Sequence, residues 1–125
     1  MTRQAGRSRI RRAIERFSAS PAQLEADDLQ AAGRVQGCQT IEDVIDREIV
    51  TLYGHLKSVS LAPRAGAPTL EASLYDGSGV VTLVWLGRRK IAGIKTGANL
   101  VVSGRISCQD GQRVIFNPQY ELRDA

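Results

Sequence analysis

One histidine, two cysteines and only six aromatic residues among 125 leave little room for most kinds of site chemistry. Cys38 and Cys108 stand far apart, without the close spacing of metal ligands or the density of a disulfide scaffold, so reduced thiols in a cytoplasmic setting are expected. His55 has no partner at metal-binding or catalytic spacing, and the acids are scattered. A hydrolase or transferase needs a nucleophile with an adjacent base, paired carboxylates or a metal cluster, so no enzyme, metal or cofactor is expected. No apolar run approaches the ~18 residues of a membrane span, and the basic N-terminus lacks the apolar stretch of a secretory signal. A soluble, unexported protein is the expectation.

The 125 residues and their 42% hydrophobic content suit one domain with one core. The net charge of +4 is unevenly spread. Residues 1–16 hold Arg3, Arg7, Arg9, Arg11, Arg12 and Arg16 against Glu15 alone, a net +5; residues 17–47 are net −4 and the remainder net +3. A basic arm of this kind suits a polyanion and equally suits a solvated chain end, and both readings stay open.

From Ser8, the segment RIRRAIERF puts Ile10, Ala13, Ile14 and Phe17 on one face of an amphipathic helix. Ser20, Pro21 and Gln23 then form a capping signature that starts a second helix, expected to end near Ala32 at Gly33. Thr40 with Asp43 three residues later suggests another capped turn. After Arg47 the period changes to two. Val50, Leu52, Gly54 and Leu56 share one parity and Val59 and Leu61 the other, a phase change near Lys57-Ser58 that reads as a bulge bending a long first strand. Leu70, Ala72 and Leu74 mark a second strand, and Asp76-Gly-Ser-Gly79 a tight hairpin into a third over Val80–Leu86. A basic connection leads to a fourth strand through Leu100 and Ile106, and Val114–Asn117 forms a fifth that Pro118 closes. Five strands in so short a span predict a mainly β, five-stranded Greek-key barrel (38–125) behind a basic N-terminal helical arm (1–37).

The runs Val50-x-Leu52-x-Gly54-x-Leu56, Leu74-Tyr-Asp-Gly-Ser-Gly79, Val81-x-Leu83-x-Trp85-Leu86, Leu100-x-Val102-x-Gly104-Arg-Ile106 and Phe116-Asn-Pro-Gln-Tyr120 carry a resemblance. In this order they resemble the oligonucleotide/oligosaccharide-binding (OB) fold family of nucleic-acid-binding domains. Within it they are similar to the wedge domain of RecG-type branch-migration helicases, which ends in a similar Pro-x-Tyr motif. The Asp-Gly-x-Gly hairpin also resembles the anticodon-binding OB domain of some aminoacyl-tRNA synthetases. The resemblance covers about residues 48–120 and leaves the helical arm unexplained. No Gly-rich loop followed by Lys and Ser/Thr accompanies the barrel, so a motor is not implied.

With the even positions of the first strand inward, Thr51, Tyr53, His55 and Lys57 share the outer face where ligands of OB barrels lie. There Tyr53 can stack a base and Lys57 pair a phosphate, or both can be ordinary surface residues. Arg88, Arg89 and Lys90 in the connection after the third strand, with Arg64 in the first loop and Arg105 on the outward parity of strand four, complete the candidate nucleic-acid-binding set. Trp85 shares parity with Val81 and Leu83 and is either core or a stacking platform. Asp76, Gly77 and Gly79 serve the turn itself. The leading expectation is a non-enzymatic module that binds single-stranded or structured DNA or RNA with little sequence preference. The alternative is a protein-interaction adaptor using the barrel or the Ile10/Ile14/Phe17 face. A membrane partner is not expected, because that apolar face is short.

Overall fold

The structure, a computed structural model, describes residues 20–123. The expected helix over Ser8–Phe17 lies outside them. Helix α1 (Pro21–Val35) starts as its sequence predicts, with the Ser20 side chain accepting from the Gln23 amide at 3.2 Å and Pro21 in the first turn. It does not stop at Gly33. The chain reverses at Gly37, with φ +72°, while Gly33 sits inside the helix where an added Cβ would lie 3.9 Å from the Cβ of Tyr53. Gly33 therefore lies within the helix, beside β1, and does not end it.

Residues Ile41–Asp43 form a single 3-10 turn in which Thr40 takes the cap position without a side-chain cap bond. Its Ile41 is fully buried in the barrel core. The strands follow as β1 (Ile49–Leu61), β2 (Thr69–Tyr75), β3 (Val80–Leu86), β4 (Asn99–Gln109), β5 (Gln112–Phe116) and β6 (Gln119–Arg123). Antiparallel pairs join β1–β2, β2–β3, β4–β5 and β1–β4, and the parallel pair β3–β5 closes a five-stranded barrel. The predicted bulge is present: Leu56 pairs with Leu74 but Ser58 with Ser73, leaving Lys57 as the extra residue.

Pro118 bends the last strand but does not close it. Ile115 pairs with Ile106, and after the bend Gln119 pairs with Ser103 on the same strand β4, so β5 and β6 are two halves of one broken strand. Both halves stay on β4, and only β5 also pairs with β3. Side chains alternate as the sequence predicts, with Val50, Leu52 and Leu56 of β1, Val81 and Leu83 of β3, and Ile106 and Ile115 all inside. Each such side chain contributes roughly 1.5–3 kcal/mol when fully buried.

Asp76 does more than hold its own turn. Its Oδ1 accepts from the amides of Ser78 and Gly79 at 2.8 and 3.0 Å and from the Ser78 hydroxyl at 2.7 Å, while Oδ2 accepts from the Ile41 amide at 2.8 Å. The hairpin and the turn carrying Ile41 are therefore tied by one buried carboxylate.

The core cluster draws on the strands, Ile41 and the connection residues Ile91 and Ile94, and on no residue of α1. A fragment of residues 38–125 is accordingly expected to unfold cooperatively in urea. It should be less stable than the whole chain, by about 1.5–3 kcal/mol for uncovering Tyr53. A molten or insoluble fragment would instead make α1 part of the folding unit.

Candidate functional site

The loop 62–68, the connection 87–98 and the bend between β5 and β6 converge at one end of the barrel. The Gly87 amide donates to the Pro68 carbonyl at 2.9 Å and the Leu86 amide to Asn117 Oδ1 at 3.0 Å. Here Arg64 reaches back over the outer surface of the sheet. Its Nε donates to Glu71 Oε2 at 3.0 Å and its guanidinium carbon lies 5.8 Å from the ring centre of Phe116. Val84, fully buried, is the cross-strand partner of both Glu71 and Phe116, the two residues that Arg64 touches. Phe116 itself stays 46% exposed.

Beside this platform, Arg89 lines an open cleft with Leu61, Pro63, Gly66, Ala67 and Pro68. Arg88, Arg89 and Lys90 are all exposed and form no ion pair with any described residue. Four of the predicted cations, Arg64 and Arg88 to Lys90, therefore lie on two adjoining segments, 62–68 and 87–98, at this end of the barrel. By strand parity, the outward residues of β2, β3 and β5 include one carboxylate, Glu71, which Arg64 already engages. The acids Glu25, Asp27 and Asp28 lie on α1, which packs on β1.

The other three predicted residues lie elsewhere. Tyr53 has the outward parity expected, but α1 covers it and leaves it 5% exposed, so its ring offers no stacking surface in this structure. The same burial pushes its phenol pKa up. Lys57, on the bulge, is held by both carboxylate oxygens of Glu25 at 2.7 and 2.8 Å and sits 5.3 Å above the Tyr75 ring. Arg105 pairs with Ile49 at the start of β1 and donates to the Arg47 carbonyl, away from this end.

Trp85 belongs to the core. It is 5% exposed, its indole donates to the Pro118 carbonyl at 3.1 Å, and it meets Tyr120 edge-to-face at 6.1 Å. Tyr120 in turn donates to the Ala92 carbonyl at 2.9 Å, so the Pro-x-Tyr motif locks the 87–98 connection against the tryptophan. His55 is spoken for by Asn99, 2.8 Å from its Nδ1. The site residue that sequence reasoning passed over is Phe116. Its signal was available, since Ile115 takes the inward position and leaves the next residue outward, but nothing local announces that Arg64 lies on it.

Among solved structures the chain is similar to RecG bound to a three-way DNA junction, at 26% identity and a TM-score of 0.56 over 66% of this chain and 12% of that one. It is also similar to a replication protein A heterotrimer bound to single-stranded DNA, at 14% identity and a TM-score of 0.48 over 69% of this chain and 65% of that one. This chain thus spans a small fraction of RecG's length. No protein family and no curated protein matches it. The barrel is an OB fold, with the closed strand order and Trp–Pro–Tyr lock described above. No helix among the described residues is long and apolar enough to cross a membrane.

Proposed function

We infer that this chain is a non-enzymatic OB-fold protein that binds nucleic acid, with single strands of DNA or RNA as ligand and little dependence on sequence. The observation that carries the reading is the end of the barrel where the Arg64 guanidinium lies on exposed Phe116 and the adjoining connection carries the exposed cations Arg88, Arg89 and Lys90. Cations meet phosphates and an aromatic face meets the π-face of any base, so neither group reads one base against another. The likeness to RecG in a complex with a DNA junction supports a DNA-facing role for such a barrel. A non-enzymatic role is supported by the engagement of His55 with Asn99 and by Cys38, whose thiol pKa burial pushes up against the smaller opposing effect of Arg123.

The test is a titration against single-stranded, duplex and three-way-junction DNA and single-stranded RNA at ~50 and ~200 mM salt. Single strands should bind, more weakly as salt rises. No binding to any of them at low salt would hand that end of the barrel to a protein partner.

The two aromatic positions separate binding from folding. Phe116→Ala should weaken binding by ~1–3 kcal/mol with an unchanged salt slope, because stacking releases no ions. Tyr53→Ala should lower the melting temperature and leave affinity unaltered, because its ring lies under α1. Equal affinity losses for the two variants would mean that α1 leaves its place when ligand binds.

A further inference from the structure

Helix α1 adds nothing to the barrel core, yet it lies on a stretch of outer surface that has the chemistry to hold a polyanion. Outward from β1 stand Thr51, Tyr53, His55 and Lys57, none of them acidic, and His55 pairs across the sheet with Tyr75 of β2. Two phenol rings and a lysine on one stretch of sheet make a stacking surface with a phosphate contact beside it. Here that stretch is taken. Tyr53 is buried although it belongs to no part of the core cluster, and Leu29 and Gly33 of α1 line one small cleft with it.

What lies on the lysine is a carboxylate. Both Glu25 oxygens accept from Lys57 Nζ, which stays over the Tyr75 ring. Two anionic oxygens on one ammonium offer the charge and the acceptors that a phosphate would offer. With Glu25, Asp27 and Asp28 against Arg34, the helix is net −2, so an acidic element covers groups that are neutral or positive. It is also lightly seated. Ala26 is the one buried residue of α1, its carbonyl against Gly77. The other holds are polar and open to water: the Glu25–Lys57 pair, and Gln36, just past the helix, accepting from Arg123 at 2.8 Å. Exposed pairs of this kind contribute little, because water competes for both partners.

We propose that α1 is an autoinhibitory cover: the Glu25 carboxylate stands in for a phosphate on Lys57, and the patch of Tyr53, Lys57 and Tyr75 takes nucleic acid only when the helix is lifted. The proposal rests on the nucleic-acid-binding reading above and adds a second, regulated contact to it. From Lys57, β1 continues four residues to Leu61 and the loop bearing Arg64, about 13 Å at ~3.3 Å per residue. One short strand therefore spans both places once the cover is off.

The test loosens the helix without touching the barrel core or the cationic end. In full-length protein, Glu25→Gln with Ala26→Gln removes the carboxylate and forces a long side chain into a buried position. Hydrogen exchange should show the α1 amides losing protection while the barrel strands keep theirs, and Trp85 fluorescence should stay as in the wild type. Anisotropy with oligo(dT) of about 20 nucleotides should then give binding ~5- to 150-fold tighter than wild type, the worth of one stacked base. The salt slope should steepen by ~0.7, for the phosphate contact that Lys57 gains. Tyr53→Ala, silent for affinity in the wild-type background, should remove most of the gain in the double variant. A gain that survives Tyr53→Ala would be the mere loss of an acidic charge. An affinity equal to that of the wild type, or α1 amides as protected as before, would make α1 a fixed part of the fold; each of these results overturns the proposal. Binding by the double variant alone would support the cover and withdraw the role given to the cationic end. If neither protein bound, the nucleic-acid reading would fall and the cover with it.

Discussion

Replacing Gly54 with valine is expected to cost at least ~3 kcal/mol and to lower the melting temperature by about 15 °C. The cause is space. A Cβ at this position would stand 2.7 Å from the backbone carbonyl oxygen of Tyr75 and 2.8 Å from Leu74 Cγ. A backbone atom cannot yield without opening the β1–β2 pairing, in which His55 faces Tyr75 and Leu56 faces Leu74. Gly104→Val makes a useful contrast, because its Cβ would meet the Cγ2 methyl of the buried Ile115 at 2.7 Å, a side-chain atom that yields only if Ile115 turns in the core, and no backbone atom closer than 3.7 Å. That variant should lose about 1–2 kcal/mol, within the usual range for overpacking. Calorimetry on both checks the order as well as the sizes, and a Gly54→Val protein with wild-type stability would refute the packing of β1 against β2 described here.

Changing Arg88, Arg89 and Lys90 together to alanine should flatten the salt dependence of nucleic-acid binding by about two in log–log slope. Each cation near a phosphate of a single strand releases counterion with a slope of ~0.7, and three contacts are lost. Over a fourfold change in salt this amounts to about 16-fold less loss of affinity than the wild type suffers. The melting temperature should barely move, since all three side chains are exposed and surface substitutions of this kind usually stay within ~0.5 kcal/mol. A triple variant that kept both affinity and slope would reduce the site to Arg64 and Phe116.

The Lys57–Glu25 pair shows how differently two charged neighbours can behave. Both side chains are about two-fifths exposed, at 42% and 43%, so the pair contributes no more than about 1 kcal/mol. It orients α1 over β1 without locking it there. Apolar cover of Tyr53 and the close fit of Gly77 against the Ala26 carbonyl do more to seat the helix.

The barrel was legible because its signals are local. Alternation in β1, the parity change at Lys57 and the Asp-Gly-Ser-Gly hairpin each involve residues within a few positions of one another, and each reads directly as strand, bulge or turn. Gly33 and Pro118 misled for the opposite reason. Both are breakers by local rule, yet the helix runs through Gly33 to Val35, and Pro118 is placed by the continuation of pairing along β4. Trp85 stayed ambiguous for the same cause, since its partners Pro118 and Tyr120 lie more than thirty residues away.

From the sequence alone came the side of the sheet on which each residue stands, because a strand has period two and one face must bury apolar groups. It also determined where the charge lies along the chain. Which outward positions meet solvent was decided only in three dimensions. Helix α1 takes the face of Tyr53 out of use, and the convergence of loop 62–68, connection 87–98 and the Asn117–Pro118 bend brings Arg64, Phe116 and Arg88 to Lys90 to one end of the barrel. Parity is a property of neighbouring residues, whereas cover and convergence depend on contacts between segments that the chain itself keeps far apart.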